Sequence, residues 1–79
     1  MWFSQNIVFG TGTIKFIDLE GGFHGIVSDD GKHYDPGTLS PEFKVDGLRV
    51  RFMVELHRNV YTSHMWGTPV SILYIKKLN

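Results

Sequence analysis

Hydrophobic and polar residues alternate most cleanly between residues 48 and 57, LRVRFMVELH. Leu48, Val50, Phe52, Val54 and Leu56 fall on one side of an extended chain; Arg49, Arg51, Met53, Glu55 and His57 fall on the other. That spacing predicts a long strand with one face to a core and one to water. Residues 13–19 (TIKFIDL) alternate with apolar groups on both sides: Ile14 and Phe16 on one, Thr13, Lys15, Ile17 and Leu19 on the other. A strand bent over a barrel corner reads this way. Residues 23–28 (FHGIVS) predict a second strand, in which Gly25 marks a bulge, a sharp coil or a close backbone approach. Residues 32–35 (KHYD) predict a short third strand. Residues 69–78 (PVSILYIKKL) predict a last one, with Val70, Ile72 and Tyr74 on one side and Ser71, Leu73, Ile75 and Lys77 on the other.

The connections are as informative as the strands. Glu20-Gly21-Gly22 and Asp29-Asp30-Gly31 have the acidic and glycine composition of tight hairpin turns. Residues 2–9 (WFSQNIVF) are apolar with a polar centre, an N-terminal extension or edge strand that Gly10-Thr11-Gly12 separates from the next segment. Within 38–46 (TLSPEFKVD), Ser40 is a suitable N-cap, Pro41 a first helical residue and Asp46-Gly47 a stop, so one or two turns fit, including turns of 3₁₀ type. Leu39 and Phe43 of that segment suit the plug of a barrel end. Residues 58–68 (RNVYTSHMWGT) read as a loop.

Three meandering strands, a short helical turn and two further strands is the order of the OB barrel. The expectation is therefore an all-β fold in one domain, residues 1–79: a small closed five-stranded OB-like barrel with one short helical turn between strands 3 and 4. An SH3-like barrel is the runner-up. Gly12-Thr13-Ile14-Lys15-Phe16-Ile17-Asp18 and Gly22-Phe23-His24-Gly25-Ile26 resemble the first hairpin of cold-shock and S1-like domains. The resemblance implies that Lys15, Phe16 and Phe23 lie on a base-stacking surface. Two positions depart from that pattern: Gly21 stands where the motif has lysine, and Gly25 where it has a second stacking aromatic. A longer stretch is similar to a group of small, uncharacterised prokaryotic domains. It comprises EGGF, GIV and DDG within Gly12 to Tyr34, PEFKVDGLRVRF from Pro41 to Phe52, and HMWGTPVSI from His64 to Ile72. Some members of that group follow lipoprotein-type export signals. The resemblance thus implies the cell envelope for a chain whose signal has been removed; for a complete chain, the lack of a signal peptide and of cysteine suits the cytoplasm.

Composition narrows the chemistry. Eight basic residues balance eight acidic ones, which argues against a polyanion held by field strength alone. The chain has no cysteine, so disulfides, thiolate metal sites and a Cys nucleophile are excluded. No apolar run approaches the roughly 20 residues of a membrane span. The histidines His24, His33, His57 and His64 lack tight ligand spacing, and no metal site or cofactor is expected. Turn chemistry explains Asp29-Asp30-Gly31, since Asp accepts local backbone hydrogen bonds. Ser63 and His64 are adjacent and would point apart, and no nucleophile elbow or triad pattern is present, so no catalytic residue is expected.

The candidate ligand contacts are Lys15, Phe16, Phe23, His24, Tyr61, His64 and Trp66, with Arg49 and Arg51 as anion partners. Tyr and Trp stack on bases or sugars. Alternatively, Met65 and Trp66 fold back to cap a barrel end, and the arginines belong to a salt-laced solvent face. The expected function is a non-enzymatic binding or interaction module. Its alternatives are a single-stranded nucleic-acid binder and a structural homo-oligomer or protein-interaction domain, the chain being a monomer or weak homodimer.

Overall fold

A computed structural model describes residues 6–57 and 65–78. Its elements are β1 (Ile7–Ile17), β2 (Phe23–Ser28), β3 (His33–Asp35), a 3₁₀ turn (Pro41–Phe43), β4 (Arg49–Leu56) and β5 (Thr68–Lys77). The all-β expectation holds. The strands pair in a ring, β1-β2-β3-β5-β4, and β4 returns to β1. Every neighbouring pair is antiparallel except β3–β5, which runs parallel through Tyr34↔Thr68 and Asp35↔Pro69.

Closure depends on β1, and here the chain departs from the pattern its sequence suggests. Gly10-Thr11-Gly12 does not break the strand; β1 runs through it for 11 residues. Its first half pairs with β4, from Ile7↔Glu55 to Thr13↔Arg49, and its second half with β2, from Gly12↔Ser28 to Ile17↔Phe23. Gly12 and Thr13 belong to both ladders. A Cβ on Gly12 would lie 2.5 Å from the Val27 carbonyl oxygen, so glycine is selected here by close backbone approach.

The predicted alternation of β4 is observed. Val50, Phe52, Val54 and Leu56 are buried, whereas Arg49 and Arg51 are exposed. With Ile14, Ile26, Tyr34, Leu39 and Val70 they form the core, and Phe43 packs against it. Leu39 and Phe43 thus both contribute to the core. The helical segment is a single 3₁₀ turn with proline at its start; Ser40 precedes it without a side-chain capping hydrogen bond.

The face assignment of β5 needs correction. Val54 pairs with Ile72 but Met53 with Tyr74, so Leu73 is an extra residue, a β-bulge. The bulge reverses the alternation after Ile72. Ile75 lies opposite the buried Phe52, while Tyr74 joins the outer face, 47% exposed.

Replacing Gly12 by alanine should cost about 2 kcal/mol, because the contacting atoms are backbone and cannot rotate away. Urea denaturation checks this. A cost below about 0.5 kcal/mol, the range of an ordinary surface change, would mean that β2 yields freely.

Candidate functional site

Cross-strand register sorts the outer surface into two faces. The first comprises β1, β2 and β3. Lys15 lies opposite Gly25, Ile17 opposite Phe23, and Val27 opposite His33. The Trp66 ring lies over this face. It stacks on His33 with centroids 4.4 Å apart and planes 11° from parallel, and meets Phe23 edge-on at 5.6 Å. A Cβ on Gly25 would clash with the carbons of the Trp66 ring. Of the three readings of Gly25, close approach is therefore the operative one, and the approaching group is a side chain. Trp66 does not cap a barrel end; it covers a sheet face. Met65, before it, has a left-handed backbone (φ +48°) and is 79% exposed.

The sequence-predicted contact residues separate on this framework. Phe23 is buried under Trp66. Phe16 is half-exposed at the end of β1, where its ring meets His24 edge-on at 5.4 Å. Its backbone N–H donates to Asp46 Oδ1 at 2.7 Å. Lys15 is exposed. Lys15 and Phe23 therefore share the face that Trp66 covers, whereas the Phe16–His24 pair lies on the other side of the β1–β2 ladder, in line with Ile14 and Ile26. Tyr61 and His64 lie outside the described residues.

Arg49 and Arg51 have different fates. Arg49 donates to Asp29 through both guanidinium nitrogens, at 2.6 and 2.8 Å, and to Thr13 Oγ1 at 3.0 Å. Thr11 Oγ1 also donates to Asp29, at 2.6 Å. Asp29 is thus more than a turn former: it ties β1 and β4 to the β2–β3 turn. The Arg49 hydrogen bond, helped by that from Thr11, holds its carboxyl well below the usual carboxylate range. Arg51 is exposed and makes no ion pair among the described residues.

Arg51 belongs to the second face, formed by β1, β4 and β5. Three rows cross it: Ile7–Glu55–Ser71, Phe9–Met53–Tyr74 and Thr11–Arg51–Lys76. Phe9 is 75% exposed, Tyr74 47% and the bulged Leu73 44%. Phe9, Met53, Tyr74 and Arg51 border a largely apolar hollow of about 480 Å³. Sequence reasoning missed this face. Met53, the one apolar residue on the outer side of β4, was the signal available.

The remaining polar groups have local roles. His57 Nε2 and Ser71 Oγ are 2.6 Å apart. Asp35 is buried and accepts from the Gly37 N–H at 2.9 Å, closing the turn after β3. No helix among the described residues is long and apolar enough to cross a membrane. No family model, curated protein or solved structure matches the chain.

Two outcomes test this description. Gly25→Ala in a Trp2→Phe background should retain the fold and red-shift Trp66 emission, because the ring must leave the sheet; unchanged emission would contradict the contact. Asp29→Asn should alter the acid limb of stability. A depressed folded pKa stabilises above the unfolded value of about 4 and is lost as pH falls below it. The variant should therefore be less stable near neutrality and lose less below about pH 4. Because the pair is exposed the effect is small and weakened by salt. Parallel curves of thermal midpoint against pH would refute the tie.

Proposed function

We infer that the protein is a non-enzymatic interaction module on an OB-type barrel, and that its contact surface is the outer face of β1, β4 and β5. The ring order, the parallel β3–β5 pairing and the 3₁₀ turn between β3 and β4 support the OB-type reading. So does the resemblance of the first hairpin to cold-shock and S1-like domains.

One observation carries the functional reading: the row Phe9–Met53–Tyr74, widened by Leu73, stays at the surface of a chain of only 79 residues. A domain this small has few large side chains to spare from its core. Contiguous apolar groups rimmed by polar ones mark protein contact surfaces. Here the rims are Arg51 with Lys76 on one side and Glu55 with Ser71 on the other.

A second reading has its own observation. Trp66, His33 and Phe23 cluster beside Lys15 on the face of β1, β2 and β3, and aromatic clusters of this kind stack single-stranded bases. Trp66 already packs on His33, Phe23 and Gly25, and the zero net charge supplies little long-range attraction. Both features favour the first reading.

The test separates folding from contact. Phe9→Ser combined with Tyr74→Ser should change unfolding free energy, measured at about 1 μM protein, by less than about 1 kcal/mol. A loss above about 2 kcal/mol would make the row part of the packing and remove the reading. For the second reading, fluorescence of Trp2→Phe protein is titrated with short single-stranded DNA and RNA. Saturable, salt-sensitive quenching that Lys15→Glu abolishes would put nucleic acid first. No change at about 100 μM nucleic acid would exclude it.

A further inference from the structure

The β1–β4–β5 face carries a charge pattern that selects its partner. Along β4 the outward residues run Arg51, Met53, Glu55, with rows about 6.8 Å apart. Arg51 and Glu55 therefore flank Met53 at equal distances on the two sides of the apolar row. We propose that the face docks on the same face of a second copy of this chain, about a two-fold axis lying along the Phe9–Met53–Tyr74 row. The proposal rests on the interaction-module reading and names its partner.

Rotation about that axis stacks β4 on β4 with the strands antiparallel. Arg51 of each copy then faces Glu55 of the other, giving two complementary pairs, and Lys76 faces Ser71. The apolar rows meet in the middle, as the inner faces of stacked sheets do at about 10 Å separation. A two-fold axis along β4 would instead set Arg51 against Arg51 and Glu55 against Glu55. The charges decide between the two arrangements, since like charges brought together across an interface cost several kcal/mol. Neither Arg51 nor Glu55 makes an ion pair among the described residues, so both are available.

Strand addition is the other common way for a sheet to recruit a copy. It fits less well. The part of β5 beyond its short pairing with β3 carries the Leu73 bulge and then Lys76 and Lys77, features that discourage edge pairing. Three strands about 4.8 Å apart and three rows about 6.8 Å apart cover roughly 300 Å² per copy, well below the ~800 Å² per partner of a standard interface. The dimer is accordingly weak, with a dissociation constant of order tens to hundreds of micromolar.

Sedimentation equilibrium of the full chain between about 5 and about 500 μM tests this. Wild type should pass from monomer to dimer over that range. Arg51→Glu and Glu55→Arg should each weaken self-association about tenfold or more. Mixed in equal amounts, the two variants should form a heterodimer at least as tight as the wild-type dimer, because each then faces its complement twice. The doubly reversed R51E/E55R chain should also recover.

Wild type that stays monomeric throughout overturns the dimer. The interaction module itself then stands or falls separately, on the stability of the Phe9→Ser, Tyr74→Ser variant. If wild type dimerises but Arg51→Glu pairs best with wild type, the axis runs along β4 and the proposed register is wrong. Circular dichroism of each variant confirms that a loss of association is not a loss of fold.

Discussion

Everything in this fold depends on one strand serving two neighbours. A chain of 79 residues closes a five-stranded ring only because β1 pairs with β4 along its first half and with β2 along its second. At Gly12 and Thr13 it must satisfy both ladders at once. The absence of a side chain at Gly12 lets the Val27 carbonyl approach. Just outside that crossing, Asp29 gathers the Arg49 guanidinium and the Thr11 hydroxyl, so three segments of chain share one carboxylate. The ion pair is exposed and individually weak. Its role is geometric: it holds β4 and the β2–β3 turn against the stretch of β1 where one partner is exchanged for the other.

Closing the ring leaves two outer faces, and the chain treats them differently. Over β1, β2 and β3 it lays its own Trp66, on a seat made by Gly25, Phe23 and His33. Over β1, β4 and β5 no described segment lies across the exposed Phe9, Leu73 and Tyr74. An indole spread on a sheet removes much more apolar area from water than one projecting into solvent, at roughly 25 cal/mol per Å². The first face is therefore stabilised from within the chain, while the second keeps Phe9, Leu73 and Tyr74 exposed.

How much of this was legible in the sequence differs by element, for identifiable reasons. The alternation of β4 was readable because that strand is straight, central and buried on one side only. The two turns were readable because their residues are chosen for local geometry. Gly10-Thr11-Gly12 misled, since glycine signals a chain break in the absence of neighbours, yet here β2 and β4 pack against it and require it. Period two also failed in β5: the one extra residue at Leu73 inverts every later position, and composition does not announce it. For the candidate site, spacing put Lys15 and Phe16 on one strand and Phe23 and His24 on the next, but did not show which side of the ladder each takes. It could not reveal that Trp66 would lie on Gly25, because their contact spans 41 residues of sequence and depends on tertiary packing alone.

The same bulge links the fold to the surface it presents. Were Leu73 paired regularly instead of bulged, it would take the place opposite Met53 and Tyr74 would turn inward, opposite Phe52. With the bulge, Tyr74 completes the apolar row and the following residue, Ile75, is returned to the side of Phe52. Bulges re-aim side chains at the cost of local pairing, and this one also disrupts the strand edge that would otherwise invite another chain to add in register. The bulge thus keeps Tyr74 in the apolar row and breaks the regularity of the β5 edge. The zero net charge follows the same logic. Eight positive and eight negative groups cancel over the whole chain, and on this face Arg51 and Lys76 lie on one side of the apolar row and Glu55 on the other. With so few charges of mixed sign, the face offers a polyanion little attraction, and its opposite charges are set on opposite sides of the apolar row.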